Sequence, residues 1–440
     1  MEIVFENAAG IDIGSDKIFA AVKDEKKVAV FKTFTSGFVM AIKYFKEHNV
    51  TTVAMESTGV YWVILYEMLE EAGIEPYLVN PKETKQVPGR KSDIQDCQWI
   101  QELHSYGLLR KSYIPEQKIK VLRTYMRQRE NLIENESRYI NRMQKSLILM
   151  NIRLHNVISQ IHGSSGIKII KAILSGERDE NKLTQLCHKN IINKKKAEVI
   201  ESLKGTYKQE HIFTLQQAYD AYFFTKGQIE QCDGQIEKAL DSIIENKTEP
   251  EDISKAKPIR HHKPKIKDLH KKLITATEGK DATLLPAITD YNMVQLVSEV
   301  GTDLSQWPTR KHFTSWLKLA PGKNQSGRYN KRIKSKQTTK AGQIFRQAAQ
   351  SLLKSKNIGL GSFARRLRSK KGPGVAVKAT ARKLAELYYL TMTKGIEYVE
   401  EGLQKYEQVY LERRLLYLQK QAAKMNFQLV DKQRFNEIRQ

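Results

Sequence analysis

Cysteine is nearly absent from this chain of 440 residues: Cys97, Cys187 and Cys232 stand far apart and are odd in number. That argues against a disulfide framework and against a structural zinc site. No run of about 18 apolar residues occurs, which excludes a membrane-spanning helix. The first residues carry Glu2 and Glu6 rather than a basic-then-apolar pattern, so no secretory leader is expected. The absences point to a reduced, cytosolic protein. Acid is also missing where it would be most expected. Between Asp303 and Glu386 there is no Asp or Glu, while about twenty Lys and Arg fall in the same stretch. A solvated helical face usually mixes signs, so a block this one-sided reads as the footprint of a polyanion.

What is present fits that reading. Over the chain, 74 Lys and Arg against 49 Asp and Glu leave a net charge of +25. Nucleic acid is the usual partner of such a surplus, with an acidic membrane surface as the bland competitor. Hydrophobic residues make up 40% of the chain, enough for packed cores in two or three domains.

Short apolar runs alternate with helical patterns over residues 8–80. Gly10–Gly14, Lys17–Lys23 and Val28–Phe34 read as three strands close enough for an antiparallel meander. A helical pattern starts at Ser36, followed by a strand over Thr52–Glu56, a helix over Tyr61–Ala72 and a strand over Pro76–Val79. Hairpin strands followed by strand–helix–strand give an α/β sandwich order. Residues 93–109 have helical spacing. Residues 117–160 and 211–245 suit a helical hairpin or coiled coil, and 161–205 is less regular. The expected division is 1–112, an α/β domain; 113–248, a helical or coiled-coil region; 249–272, a basic linker or insertion containing Pro250, Pro258 and Pro264; 273–405, a basic globular segment; and 406–440, a charged helical tail.

Four carboxylates stand out. Asp12 lies between Ile11 and Ile13 in the first strand, where an acid is costly unless it is paired or binds a cation. Glu56 ends the fourth strand. If those strands are parallel neighbours, the two acids stand side by side at strand ends, where ligands of open α/β sheets collect. Asp93 and Asp96 lie three apart and share one face of a helix. Four converging carboxylates suit a pair of divalent cations, Mg2+ foremost and Mn2+ as the alternative. Three of the acids also have an ordinary reading: Asp93 in a helix first turn, Asp96 on a surface, Glu56 capping a turn. His104 and Cys97 read as core residues, and Tyr61 and Trp62 as packing residues.

In the basic segment, Ser326 precedes Gly327 in a polar loop after the apolar stretch Trp316–Ala320. Lys323, Arg328, Lys331, Arg332, Lys334 and Lys336 surround it, a set suited to contacting phosphates. From spacing alone, this serine is a turn residue or a phosphate-oxygen donor more readily than a nucleophile.

Ala9-Gly10-Ile11-Asp12-Ile13-Gly14, Met55-Glu56-Ser57-Thr58-Gly59-Val60-Tyr61-Trp62, Lys91-Ser92-Asp93-Ile94-Gln95-Asp96 and Leu103–Leu109 resemble the DEDD transposases of the insertion sequence 110 family. Phe313–Gly322, Gln325-Ser326-Gly327 and Ala376–Leu387 extend the resemblance, which covers about residues 8–110 and 284–405. It implies a ribonuclease H-like (RuvC-like) α/β domain whose metal-binding acids match Asp12, Glu56, Asp93 and Asp96. It further implies a helical hairpin and a mainly α C-terminal transposase domain whose nucleophilic serine matches Ser326. Members excise and insert a mobile DNA element by strand exchange, guided by a structured (bridge) RNA, and work as homo-oligomers, dimers or tetramers.

One stretch departs from the family. Where it has a Gly-Ile-Gly hairpin, this chain has Pro286-Ala287-Ile288-Thr289-Asp290-Tyr291, and Ala287 and Asp290 suit phosphate binding poorly. Two other readings of the residues stand beside the transposase: a metal-dependent junction nuclease that forms no covalent intermediate, and a nucleic-acid-binding protein without catalysis.

Overall fold

The computed structural model describes residues 2–23, 25, 27–84, 92–326, 329–333, 338–355 and 359–429. The chain divides into two compact units, Met1–Ile114 and Pro115–Gln440.

In the first unit, β1 (Ala8–Ile13), β2 (Lys17–Val22) and β3 (Ala29–Lys32) form the expected antiparallel meander. Helix α1 (Thr35–Glu47) leads to β4 (Thr52–Glu56), and α2 (Trp62–Glu71) leads to β5 (Glu75–Val79). A short α3 (Pro81–Thr84) and α4 (Asp93–Ser105) complete the helices. The sheet order is β3-β2-β1-β4-β5, with β4 parallel to both β1 and β5.

The pleat sorts these strands into two faces. Ala9, Ile11 and Ile13 of β1, with Val53 and Met55 of β4, join Phe38, Phe45, Leu65 and Leu69 of α1 and α2 in one core. The opposite face therefore carries Ala8, Gly10 and Asp12, then Thr52, Ala54 and Glu56. Its upstream residues are small, so a helix can lie directly on the strands. Helix α4 occupies that place and runs back along β1. The carbonyl of Ser105 accepts the N–H groups of Val4 (2.8 Å) and Phe5 (3.0 Å). A Cβ on Gly10 would stand 2.3 Å from the backbone nitrogen of Gln101 and 2.5 Å from the carbonyl oxygen of Cys97. The helix thus rests on bare backbone at Gly10.

The second unit opens with α5 (Gln117–Leu149). It continues through α6 (Ser164–Leu174), α7 (Glu180–Gln185) and α8 (Lys189–Leu203) to α9 (Gln209–Ile244). Helices α5 and α9 form the expected hairpin, each about 50 Å long at 1.5 Å per residue. Buried Leu215, Ala218, Tyr222, Thr225 and Ile229 recur on α9 at spacings of three and four. The stretch 161–205 is more ordered than its sequence suggests: its three helices pack on the hairpin tip around Ile169, Ile170, Ile173, Leu183, Val199 and Leu203.

Within the hairpin seam, fully buried Arg129 meets Asp233 at 2.6 Å. The other Asp233 oxygen accepts the Lys265 N–H (2.8 Å), and Arg129 donates to the His262 carbonyl (3.1 Å). This pair anchors the proline-containing basic stretch after α9 onto the hairpin. Then follow α10 (Leu269–Ala276), α11 (Asp290–Val300) and α12 (Arg310–Trp316). A two-stranded antiparallel ribbon comes next, β6 (Gly322–Ser326) and β7 (Tyr329–Ile333). Helices α13 (Lys340–Leu352), α14 (Gly359–Lys371), α15 (Pro373–Lys394) and α16 (Ile396–Lys424) complete the unit. Arg127 of α5 grips Glu299 of α11 through two parallel hydrogen bonds (2.8 and 2.9 Å), which ties this region to the hairpin. Among the described residues, no helix is long and apolar enough to cross a membrane.

A methyl group at Gly10 must push α4 off β1. Gly10→Ala is expected to cost about 1–3 kcal/mol in urea unfolding and to speed hydrogen exchange in α4. Gly227→Ala, placed in open space on α9, is expected to gain about 0.5–1 kcal/mol.

Candidate active site

Parallel pairing of β1 with β4 runs through Ile11 and Met55. The next positions, Asp12 and Glu56, therefore stand side by side at the C-terminal ends of neighbouring strands, on the face that α4 covers. With Gly10 fixed beneath Cys97 and Gln101, the first turn of α4 comes over Asp12. That turn starts at Ser92, whose hydroxyl accepts the Gln95 N–H at 3.3 Å, and it carries Asp93 and Asp96. Both lie exposed at the helix N-terminus, where the macrodipole favours anions.

Asp12 feels the other three acids. The Asp12 carboxyl is pushed up from 3.8 to about 6, first by its burial, then by the charges of Asp93, Asp96 and Glu56. Among the described residues, the charges that act on it most strongly are those of acids. Glu56 is half-buried and held from two sides. The Thr58 hydroxyl lies 3.4 Å from Oε2, and the Thr84 hydroxyl donates to Oε1. The Thr84 carbonyl in turn accepts the indole N–H of Trp99 at 3.0 Å. Thr84 carries no signal in the sequence, and Trp99 only its place one turn beyond Asp96.

Among the described residues, no three His, Cys, Asp or Glu side chains converge closely enough to hold one ion. The carboxylates are gathered into one field without being closed to ligand distance. The donor chemistry nonetheless suits a hard divalent cation: all oxygen, with three acids acting on the fourth. Asp12, Glu56, Asp93 and Asp96 are the residues that could hold Mg2+ or Mn2+.

His104 and Cys97 are core residues, as their patterns suggest. His104 is fully buried, contacts the Thr52 hydroxyl through Nε2 at 3.0 Å, and lies against Phe5 and Tyr77. Burial lowers its pKa to about 4, so it is neutral. Cys97 is pushed up to about 12 by burial and then by Asp12, which leaves an unreactive thiol. Trp62 packs edge-on to Tyr66 (5.7 Å between ring centres), whereas Tyr61 is about half exposed rather than packed.

Ser326 belongs to the second unit. It ends β6, opposite Tyr329 at the start of β7, so it sits at the end of a strand rather than in a loop. Lys323 stands opposite Arg332, and Asn324 opposite Lys331. Arg328, Lys334 and Lys336 lie outside the described residues. In the departing stretch, Ala287 takes up the left-handed conformation (φ 63°) that glycine adopts at lower cost. The Asp290 carboxylate is buried and contacts His270 Nδ1 at 2.7 Å.

Two family models match the chain. One, described as Transposase and of the DEDD_Tnp_IS110 type, spans residues 9–152. The other, described as Transposase IS116/IS110/IS902 family, spans residues 282–362. The first contains the four acids and the second contains Ser326; together they take in about half of the chain. No curated protein matches the chain significantly.

The raised Asp12 value fixes a sign. A carboxyl that is harder to ionise in the fold than in the unfolded chain costs stability as pH rises from about 4 through about 6. Asp12→Asn, in EDTA, should therefore melt at a higher temperature than wild type near pH ~7. The gain should shrink as pH falls through about 6 toward 4. Equal melting of the two proteins at pH ~7 would show that the repulsion is not felt.

Proposed function

Because the chain belongs to the IS110 family of DEDD transposases, enzymes that cut and rejoin DNA, we propose that it excises and inserts a mobile element through a carboxylate centre and a serine nucleophile. In this reading Asp12, Glu56, Asp93 and Asp96 hold two Mg2+ ions, or Mn2+, and Ser326 attacks the DNA backbone. The observation that supports it is the gathering of four acids at two neighbouring strand ends and the first turn of α4, where Asp93, Asp96 and Glu56 all raise the Asp12 carboxyl. Bound divalent ions would neutralise the charge that develops on phosphate oxygens and help activate the attacking oxygen.

The chain's own groups do the rest. Asp12 and Glu56, on neighbouring strands, give the centre a rigid floor. Asp93 and Asp96, exposed on the first turn of α4, close toward it by changing rotamer. The serine oxygen forms a bond to phosphorus as the bond to the leaving DNA oxygen breaks. That oxygen takes up the proton the serine loses and departs as a hydroxyl. The phosphoserine ester keeps the energy of the broken bond, so attack by another DNA hydroxyl rejoins strands and restores the serine.

The ribbon that carries Ser326 supports a phosphate-rich partner. The backbone register sets Lys323 opposite Arg332, two basic residues on neighbouring strands, a pairing that suits an anionic partner. Arg328, Lys331, Lys334 and Lys336 belong to the same proposed contact, within a stretch of about eighty residues that lacks acid. A structured guide RNA and a homo-oligomeric assembly are part of the proposal; the net charge of +25 suits a protein that holds two nucleic acids at once. So is the finer division into a RuvC-like domain over 1–112, a helical region over 113–248, a basic connection over 249–272, a transposase domain over 273–405 and a tail over 406–440.

The test is a search for the covalent intermediate. Protein, element ends, target DNA and the RNA encoded beside the gene are combined and denatured, the DNA is digested, and peptides are examined for a nucleotide on Ser326. Wild type should carry it. Ser326→Ala and Asp12→Ala should each lower recombination on the order of 1,000-fold or more. Strand cleavage that persists in Ser326→Ala without any adduct would instead make the protein a metal-dependent nuclease.

A further inference from the structure

The Glu56 carboxylate is held by threonine hydroxyls. Its Oε1 takes the Thr84 hydroxyl, while among the described residues Oε2 has the long 3.4 Å contact to Thr58. Thr84 is buried at the end of α3, and its hydroxyl also lies 3.1 Å from the Pro81 carbonyl. A hydroxyl has one proton, so the close carboxylate and the carbonyl compete for it. The Thr84 backbone is fixed independently by the Trp99 indole N–H. Trp99 sits on α4 three residues after Asp96, about one turn further along the helix.

These contacts form a chain: α4 holds Thr84 through Trp99, and Thr84 holds Glu56. We propose that Thr84 and Trp99 are positioning residues of the carboxylate centre, coupling the direction of Glu56 to the place of α4. The inference rests on the metal-binding reading given above and adds to it. Without the clamp, a glutamate at a strand end has three side-chain torsions to settle. With it, one oxygen is tied down and the other is left for a ligand. Partners that orient metal-binding carboxylates commonly contribute about tenfold to a hundredfold in metal affinity.

The experiment measures Mn2+ affinity of the full chain by electron paramagnetic resonance of the free ion, with thermal unfolding as the check on folding. Thr84→Val keeps the shape and removes the hydroxyl. It should weaken Mn2+ binding by about tenfold or more with little change in melting temperature, and Thr84→Ser should return it to within about twofold of wild type. The Mg2+ needed for half-maximal strand cleavage should rise in step. Trp99→Phe keeps a ring and loses the N–H; it should weaken binding in the same direction, and it serves if Thr84→Val does not fold. Asp12→Asn and Glu56→Gln separate the two claims. If both abolish Mn2+ binding while Thr84→Val and Trp99→Phe bind as wild type, the clamp is refuted and the centre stands. If Asp12→Asn and Glu56→Gln bind Mn2+ as wild type, the centre itself is refuted and the clamp with it.

Discussion

The site depends on one close approach. Helix α4 lies on β1 at Gly10, where a single added carbon would stand 2.3 Å from helix backbone. A helix held that near cannot slide, so its first turn comes over Asp12 rather than over solvent. The pleat makes this contact productive. Residues two apart share a face, so the face that presents Gly10 to α4 also presents Asp12, and the parallel neighbour β4 presents Ala54 and then Glu56 beside it. Small residues upstream and acids downstream on one face are a single design: the first let the helix approach, and the second receive its acids.

The cost of gathering the acids is visible in the same place. Asp12 resists ionisation because burial and three like charges oppose it. An arrangement that repels itself at neutral pH is a poor way to stabilise a fold and a good way to attract a cation. The second unit handles charge differently. Its buried Arg129 is matched by Asp233, and the pair holds the basic stretch after α9 in register on the hairpin. Buried pairs of this kind are better at specifying an arrangement than at adding stability. Charge is thus matched in the scaffold, whereas at the acid centre like charges gather on Asp12, where a cation would complete them.

Much of this was legible in the residues. The strands and their meander followed from short apolar runs, the parallel pairing of β1 with β4 stood only as a condition, and the three-residue spacing of Asp93 and Asp96 set them on one helix face. The hidden parts depend on distant contacts. The α6–α8 cap reads as irregular because its helices are short and broken by polar loops, and their shared core appears only once the hairpin tip closes on it. The stretch after α9 reads as a linker because what orders it is Asp233, some thirty residues away. The ribbon that carries Ser326 reads as a loop because Lys, Asn, Gln and Arg mask any strand alternation. Thr84 gives no sign at all, since a threonine after Pro-Lys-Glu is unremarkable until Glu56 is placed beside it.

The most direct measurement is anomalous diffraction from crystals grown with Mn2+. The account predicts manganese peaks among Asp12, Glu56, Asp93 and Asp96, with the α4 first turn drawn toward β1. Crystals of protein active in strand cleavage that show no manganese there, or show it only elsewhere, would contradict it.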